Sequence, residues 1–466
     1  MPETFTSMLA WVLLIGGGLV LLFVLVKVPE LLVVVLVMGT PYIQWVFSLL
    51  GYEISRRTFA TAGAVIFIPV VLLIVILRVV QSREREPIIG RPNMPFVLTA
   101  MAMGLVLLFG LTYSPSYRYG PQKTGEYFIF GLTPMLLGFV FLRDRAASHR
   151  FLWWVLGVST FTVVLTSAYL LATRGTLFTL IHVWMEGEGE SVGRVVRGHS
   201  SLSTPMVLAM AALFAMAGGR RGFWWKAAPL LLMPVLGFYL IMSGTRSNLV
   251  AFLAVVVAGS FLAYRRQRGI LVAAALVLVV SGLFVFLYAP EYVRDRMFFS
   301  WFGDEEGEGA ATPRLQLATF CLEEGMKSPL VGWGTGSYPT LRGWDQYDYP
   351  HNMFAEMFVE NGLLGLGVLL ALWWMVIARI FTVLRTTPPE TEPYGLAIFG
   401  GGLMAFELFN GLSHVGLAHH SCTLLITSAI VLRSTFLAEQ AGRPEEDTDP
   451  AHDLSAPLAV LRAGPL

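Results

Sequence analysis

Long apolar runs, separated by short polar or charged stretches, dominate this chain of 466 residues. Most of the runs approach the roughly 20 residues that a helix needs to cross a bilayer. Their apolar residues are continuous instead of alternating with polar ones, which favours helices over the strands of a membrane barrel. The predicted spans cover residues 8–27, 30–50, 58–80, 95–113, 126–143, 151–172, 201–218, 223–243, 247–264, 270–289, 352–378, 394–412 and 421–438. Because the first two runs are close together, the predicted count is 12 or 13.

The polar stretches divide the chain into parts. Residues 1–289 predict a transmembrane helix bundle with an extracytoplasmic loop at 173–200. Residues 290–351 predict a large, partly helical extracytoplasmic loop, and residues 352–438 predict the last transmembrane helices. The stretch "EQAGRPEEDTDPAHDLSAP" is polar and rich in proline, which is typical of disorder, so residues 439–466 predict a disordered cytoplasmic tail. The fold class expected is an all-α polytopic membrane protein.

Composition agrees with this interpretation. Hydrophobic residues make up 55% of the chain and charged residues 14%, against about 25% charged residues in soluble domains. The two cysteines are too few for a disulfide framework and have no metal-binding spacing. A net charge of +1 gives no indication of nucleic-acid binding. The N-terminus lacks a basic segment followed by a small-residue cleavage site, so no cleaved signal peptide is expected.

The distribution of positive charge predicts the orientation. Basic residues concentrate in alternate short loops, which places those loops in the cytoplasm. These loops hold Arg83, Arg85 and Arg91; Arg143, Arg145 and Arg150; Arg220, Arg221 and Lys226; Arg265, Arg266 and Arg268; and Arg379 and Arg385. Arg56, Arg57, Arg118 and Lys123 depart from the rule. The two longest loops then lie outside the cytoplasm, where nucleotide sugars are scarce, so an enzyme there needs an activated substrate delivered through the membrane.

Two arginines outside the cytoplasm are candidates for anion binding. Arg246 lies in the short break "MSGTRSNL" between two spans, and small neighbours there favour a tight turn. Arg314 follows Thr312, a candidate N-cap, and Pro313 at the predicted start of a loop helix. A guanidinium beside a helix N-terminus suits an anion. The alternatives are a snorkelling Arg246 and an Arg314 paired with acidic residues on the surface.

A histidine marks the beginning of the next span. His351 follows Pro350, and Asn352 is a candidate cap for the helix. Histidine can move a proton near neutral pH, although a lone histidine at a membrane interface is more often a polar anchor. Arg194 and Arg197 precede another span and either bind phosphate or belong to a solvated loop. The segment "GWGTG" has no strand before it and predicts a turn-rich loop, not a nucleotide-binding motif.

These pieces together resemble the O-antigen ligase and polymerase superfamily of bacterial cell envelopes. The residues that carry the resemblance are "SGTRSN", Arg314, "KSPLVGWGTGSY" and "HNMFAEMFVENGLLG", in that order, within residues 190–370. Asn248 stands where a glycine is common in the family. The resemblance implies a GT-C-like helical membrane enzyme of the bacterial inner membrane, with its active site facing the periplasm. It would move a glycan from an undecaprenyl diphosphate carrier to an acceptor hydroxyl.

The resemblance also implies roles for individual residues. His351 would be the general base, and Arg246 and Arg314 would bind the diphosphate, with Arg197 and Arg194 as helpers. These roles need no metal and no other cofactor, and the displacement would invert the anomeric configuration. The partners implied are the lipid-linked glycan, an acceptor glycan or lipid A core, membrane lipid and other proteins of polysaccharide assembly.

Residues around the histidine are expected in supporting roles. Asp345 or Asp348 is a candidate for orienting His351, with nothing in the sequence to choose between them. Asn352 and Glu360 are expected to support the site, Glu360 as a packing or supporting polar group rather than an acid catalyst.

Two alternatives remain at this stage. A polymerase, slightly favoured by the number of spans, adds repeat units to a growing chain, whereas a ligase attaches finished glycan to lipid A core or to a protein. The alternative of another class is a transporter or flippase of lipid-linked glycan. Transporters usually show internal repeats and broken helices at the bilayer midplane, and the sequence shows no convincing two-fold repeat.

Overall fold

Helices form most of the part of the chain that the structure describes. The computed structural model describes residues 28–31, 33–34, 93–142, 145–174, 199–220, 222–242, 246–264, 268–288, 311–343, 349–413 and 430–431. Helix accounts for 87% of these residues, and none of them lies in a strand. The predicted all-α polytopic class is therefore confirmed.

Twelve α-helices and one π-helical segment follow each other along the described residues. They are α1 (Met94–Leu111), α2 (Tyr119–Glu126), the π-helix (Tyr127–Leu132), α3 (Thr133–Phe141), α4 (Arg145–Arg174), α5 (His199–Gly219), α6 (Phe223–Met242), α7 (Arg246–Tyr264), α8 (Arg268–Tyr288), α9 (Ala311–Lys327), α10 (Tyr338–Leu341), α11 (Met353–Thr386) and α12 (Glu392–Ser413). The short break predicted between two spans corresponds to the end of α6 and the beginning of α7.

Five helical segments of the described chain are long and apolar enough to cross a membrane. They are Met94–Leu111, Tyr119–Phe141, Phe223–Leu240, Met353–Thr386 and Glu392–Leu412. Two further apolar helices are shorter. Nine of the predicted spans fall on helices of the structure. The count of 12 or 13 stays a prediction, because the spans predicted at 8–27, 30–50, 58–80 and 421–438 lie wholly or largely outside the described residues.

Helix α5 lies in the middle of the packed helices. It packs against α4, α6, α7 and α12, and every side chain from Met206 to Ala217 is buried. A helix that is apolar on all sides belongs in an interior. Small residues let its neighbours approach closely, and Gly395 of α12 lies directly against the backbone of Ala215 and Gly219. Helix α12, held by this packing, packs in turn against α11.

Candidate functional site

The first turn of α11 is held by Asn352. Its backbone is extended, and its Oδ1 accepts hydrogen bonds from the N–H groups of Phe354 and Ala355, both at 3.0 Å. A side-chain oxygen in this position satisfies donors that a helix start leaves open. The prediction that Asn352 caps this helix is confirmed, and the cap fixes the backbone directly after His351.

His351 has an unusual backbone conformation and an aromatic neighbour. Its φ is 55°, in the left-handed region that few residues other than glycine adopt. Its partly buried imidazole lies 4.7 Å from the ring of Tyr349, centroid to centroid, with 59° between the ring planes. Such backbone conformations persist where the surrounding structure enforces them, and they cluster at functional sites. The conformation therefore supports a functional interpretation of His351.

Arg314 lies in the first turn of α9. The helix begins at Ala311, so the prediction that Thr312 caps it is wrong. Pro313 is compatible with this earlier start, because the first turn of a helix has no intrahelical acceptor for its N–H groups. The helical pattern predicted after Pro313 is confirmed, and it continues to Lys327.

Tyr349 contacts the ring of His351 and interacts electrostatically with Arg314. Arg314 is exposed, but loss of some hydration to the surrounding protein lowers the pKa of its guanidinium, and an electrostatic interaction with the phenol of Tyr349 acts in the opposite direction. An arginine keeps its proton at neutral pH in either case, so Arg314 offers a permanent positive charge. Arg314 and His351, two residues that the sequence predicts for the site, thus both interact with Tyr349, which the sequence motifs do not indicate.

The structure describes little of the other residues that the sequence predicts for the site. Arg246 is the first residue of α7, and its side chain lies outside the described part of the structure. Arg194, Arg197 and Asp348 lie outside the described residues altogether, as does Asp345. The diphosphate and supporting roles of these residues therefore stay predictions.

Helix α11 is interrupted two turns after its start. Gly362 has φ 62° and ψ −160°, a combination open essentially to glycine alone. The carbonyl groups of Val359 and Glu360, which lose their helical partners there, accept the N–H groups of Trp333 (3.0 Å) and Gly334 (2.7 Å). The loop between α9 and α10 therefore binds directly to the backbone of the break.

The same loop also satisfies the donors on the far side of the break. The N–H of Leu363 donates to the carbonyl of Pro329 at 2.8 Å, and that of Leu364 donates to the carbonyl of Leu330 at 3.1 Å. Irregular backbone in a membrane helix is tolerated only where it is buried in protein or lines a cavity. Here the inserted loop supplies the required partners.

The glycines of "GWGTG" allow this insertion. Gly332, Gly334 and Gly336 all have positive φ. A Cβ on Gly334 would collide with the backbone of Ser114 after α1, and one on Gly336 would collide with the backbone of Gly120 in α2. The prediction of a turn-rich loop is confirmed, and its glycines serve close packing between backbones.

A buried ion-pair cluster joins this loop to α2 and α11. The ammonium of Lys123 pairs with Glu356 and, at 2.6 Å, with Oε1 of Glu360. The other oxygen of Glu360 accepts the N–H of Gly336 at 2.9 Å. Lys123 was noted in the sequence only as an exception to the charge rule. Glu356 and Glu360, two carboxylates four residues apart at the start of an apolar span, are the signal that could have indicated a buried cation such as Lys123, because charged side chains in such segments usually form ion pairs.

A free cysteine lies beside the cluster. Cys321 of α9 is fully buried, and burial, followed by the charges of Glu356 and Glu360, raises the pKa of its thiol. The thiolate is the reactive form of cysteine. Cys321 packs with the buried side chains of Tyr338, Ala355 and Val359, and its burial disfavours the reactive thiolate.

Comparison with known proteins adds one finding. Residues 228–370 match a protein-family model described as O-antigen ligase. The matched segment runs from α6 through the break in α11, so it contains Arg246, Arg314 and His351, whereas Lys123 lies outside it. No curated protein matches the chain.

Proposed function

We propose that the chain acts as a member of the O-antigen ligase and polymerase superfamily, which the match over residues 228–370 supports, and that it transfers a glycan from a polyprenyl diphosphate carrier to an acceptor hydroxyl. A membrane glycosyltransferase of this general type is supported by the family match and by the apolar helices. The carrier, the acceptor and the roles of individual residues belong to the proposal. Its structural support is Tyr349, whose ring contacts that of His351 and whose phenol interacts electrostatically with Arg314.

In the proposed reaction His351 is the general base. Its imidazole accepts the proton of the acceptor hydroxyl while the oxygen forms a bond to the anomeric carbon. The bond from that carbon to the diphosphate oxygen breaks, and its electron pair leaves with the diphosphate. Attack in line with the leaving group inverts the anomeric configuration. The rigid turn that begins at Asn352 suits this role, because a base must be held in a fixed position.

Arg314 is proposed to bind the leaving diphosphate. Its guanidinium fork can form two parallel hydrogen bonds with phosphate oxygens, and a fixed positive charge stabilises the negative charge that develops there. Arg246 is the proposed second ligand, with Arg197 and Arg194 as weaker ones. In this scheme the arginines neutralise the leaving group and no cofactor takes part.

The proposed location follows from the charge distribution of the loops. Arg220 and Lys226 lie near one end of α6, whereas Arg246 follows its other end. If the basic loop faces the cytoplasm, Arg246 lies on the periplasmic side of the bacterial inner membrane. A lipid-linked donor in that membrane can reach such a site.

For the acceptor, polymerisation of repeat units is the version that we propose, as in O-antigen or exopolysaccharide synthesis. Ligation to lipid A core or to a protein is the second candidate, favoured by the description of the matching family. Glycan length in a deletion strain separates the two. Single repeat units on the acceptor indicate a missing polymerase, whereas long chains that stay unattached indicate a missing ligase.

The central experiment measures glycan transfer by purified protein from a lipid-linked donor, comparing wild type with His351→Ala. Loss of a general base is expected to slow turnover by about 10²- to 10⁴-fold. His149→Ala is the matched control, because His149 is also partly buried beside an aromatic ring, that of Trp153. Turnover of His351→Ala at the wild-type rate would refute the assignment of the base. Donor movement across vesicles without any transfer would indicate a flippase.

Arg314→Lys tests the binding of the diphosphate. An ammonium keeps the charge and loses the fork, so KM for the donor is expected to rise by about tenfold or more. Arg385→Lys is the control, since Arg385 is exposed near the opposite end of α11. An unchanged KM in Arg314→Lys would remove Arg314 from the diphosphate site.

A further inference from the structure

The cluster of Lys123, Glu356 and Glu360 is buried almost completely. The side chain of Lys123 is 5% exposed, and those of Glu356 and Glu360 are 2% and 3% exposed. Ion pairs at the surface contribute little, whereas loss of one partner from a buried pair leaves an uncompensated charge. The two carboxylates are four residues apart and so face the same side of α11, where one ammonium reaches both of them.

The cluster connects elements that are far apart in the sequence. Glu360 accepts N–H groups from Gly336 at 2.9 Å and from Tyr338 at 3.4 Å, so its carboxylate ties the loop after α9 to α11. On the other side of the loop, Gly336 lies against the backbone of Gly120 in α2, one turn from Lys123. The loop is thereby enclosed between α2 and α11, with the ion pairs connecting the two helices.

Both proposed site residues are attached to these elements. His351 directly precedes the turn that contains Glu356, and Arg314 lies on α9, whose end continues into the enclosed loop. Helices α9 and α11 also pack through Gly325 against the ring of Phe358. The direct packing of α9 on α11 and the loop that continues from α9 together connect Arg314 to His351.

We propose that Lys123 is a positioning residue for glycan transfer: its ion pairs with Glu356 and Glu360 lock α2, the loop after α9 and α11 together and so fix His351 relative to Arg314. The reaction named here rests on the proposed function. The structural part of the inference, the locking of the three elements, does not depend on it. Lys123 lies outside the segment that matches the family model.

The test uses the full-length protein and two variants. Lys123→Met removes the ammonium and leaves two carboxylates close to each other, so it can fail to fold. Lys123→Met/Glu356→Gln removes one of the carboxylate charges as well and keeps the shape of the side chain. Lys226→Met is the matched control, because Lys226 also forms a lysine–glutamate pair, with Glu390 at 3.0 Å, away from the cluster.

The first readout is independent of activity. Hydrogen–deuterium exchange measured by mass spectrometry is expected to speed up at least tenfold at residues 332–338 and 351–356 in the double variant, and to stay unchanged there in Lys226→Met. Unchanged exchange in the double variant would overturn the locking, whether or not the protein transfers glycan. Failure of both cluster variants to fold, with Lys226→Met folding normally, would also overturn the positioning role, since the cluster would then serve folding alone.

The second readout is turnover per folded molecule. A positioning role predicts a kcat at least tenfold lower, with KM for the donor within twofold of wild type and the same pH dependence. A wild-type kcat in the double variant would overturn the positioning role of Lys123. The proposed reaction itself is tested separately, by His351→Ala. If wild type itself transfers no glycan, the proposed function fails, and the exchange measurement alone decides on the locking.

Discussion

Replacement of Gly362 by alanine tests whether the break in α11 is as constrained as its contacts suggest. The backbone of Gly362, with φ 62° and ψ −160°, costs a residue with a Cβ about 1–3 kcal/mol. The new Cβ would also lie 2.5 Å from the carbonyl oxygen of Leu330, closer than atoms tolerate. The loop must then move away from the break.

Movement of the loop breaks further interactions. Leu363 and Leu364 donate to the carbonyls of Pro329 and Leu330 at 2.8 and 3.1 Å, and each such bond contributes about 1 kcal/mol. Together with the backbone term, Gly362→Ala is expected to destabilise the protein by about 3–5 kcal/mol. Thermal unfolding in detergent is the assay, with a decrease in Tm on the order of 5 °C or more.

Gly367 provides the matched control in the same helix. A Cβ placed there would meet nothing within 4 Å, and alanine in a helix interior is favoured over glycine by about 0.5–1 kcal/mol. Gly367→Ala is therefore expected to leave Tm unchanged or to raise it slightly. Equal Tm values for the two variants would refute the description of Gly362 as a position that requires glycine.

Two further predictions concern residues beside the site. Tyr349→Phe keeps the ring that contacts His351, and its kcat is expected to stay within about threefold of wild type. Tyr349→Leu loses the ring, and its kcat is expected to fall by about tenfold. Initial rates of glycan transfer measure both values, and equal rates for the two variants would show that the ring does not contribute to the site. Cys321 is buried and the pKa of its thiol is raised, so a maleimide at pH 8 is expected to label Cys321 only after denaturation. Mass spectrometry measures the labelling, and rapid labelling of the folded protein would contradict the burial of Cys321.

The sequence predicted those features that depend on local composition. Long apolar runs placed nine spans on described helices, since about 20 apolar residues have few other stable arrangements. Asn352 was identified as a cap because its oxygen acts on N–H groups two and three residues ahead. Local chemistry of this kind can be read from one stretch of chain.

Features that depend on distant partners could not be predicted in the same way. Gly362 lies in an apolar run that reads as continuous helix, and its break exists because a loop about thirty residues earlier in the chain inserts there. The sequence predicts Lys123 only as a charged loop residue, because nothing near it in the sequence indicates that Glu356 and Glu360 are its partners. The interactions of Tyr349 with both His351 and Arg314 likewise depend on the packing of α9 against α11.

The segment that matches the family model is consequently not a self-sufficient unit. Its glycine loop requires Gly110 and Ser114 at the end of α1, where Thr335 donates its N–H to the carbonyl of Gly110 at 3.3 Å and Ser114 donates to the carbonyl of Thr335 at 2.8 Å. Its buried carboxylates require Lys123 of α2. Helices of the N-terminal part therefore provide partners without which the loop, the break and the turn after His351 would lose their support.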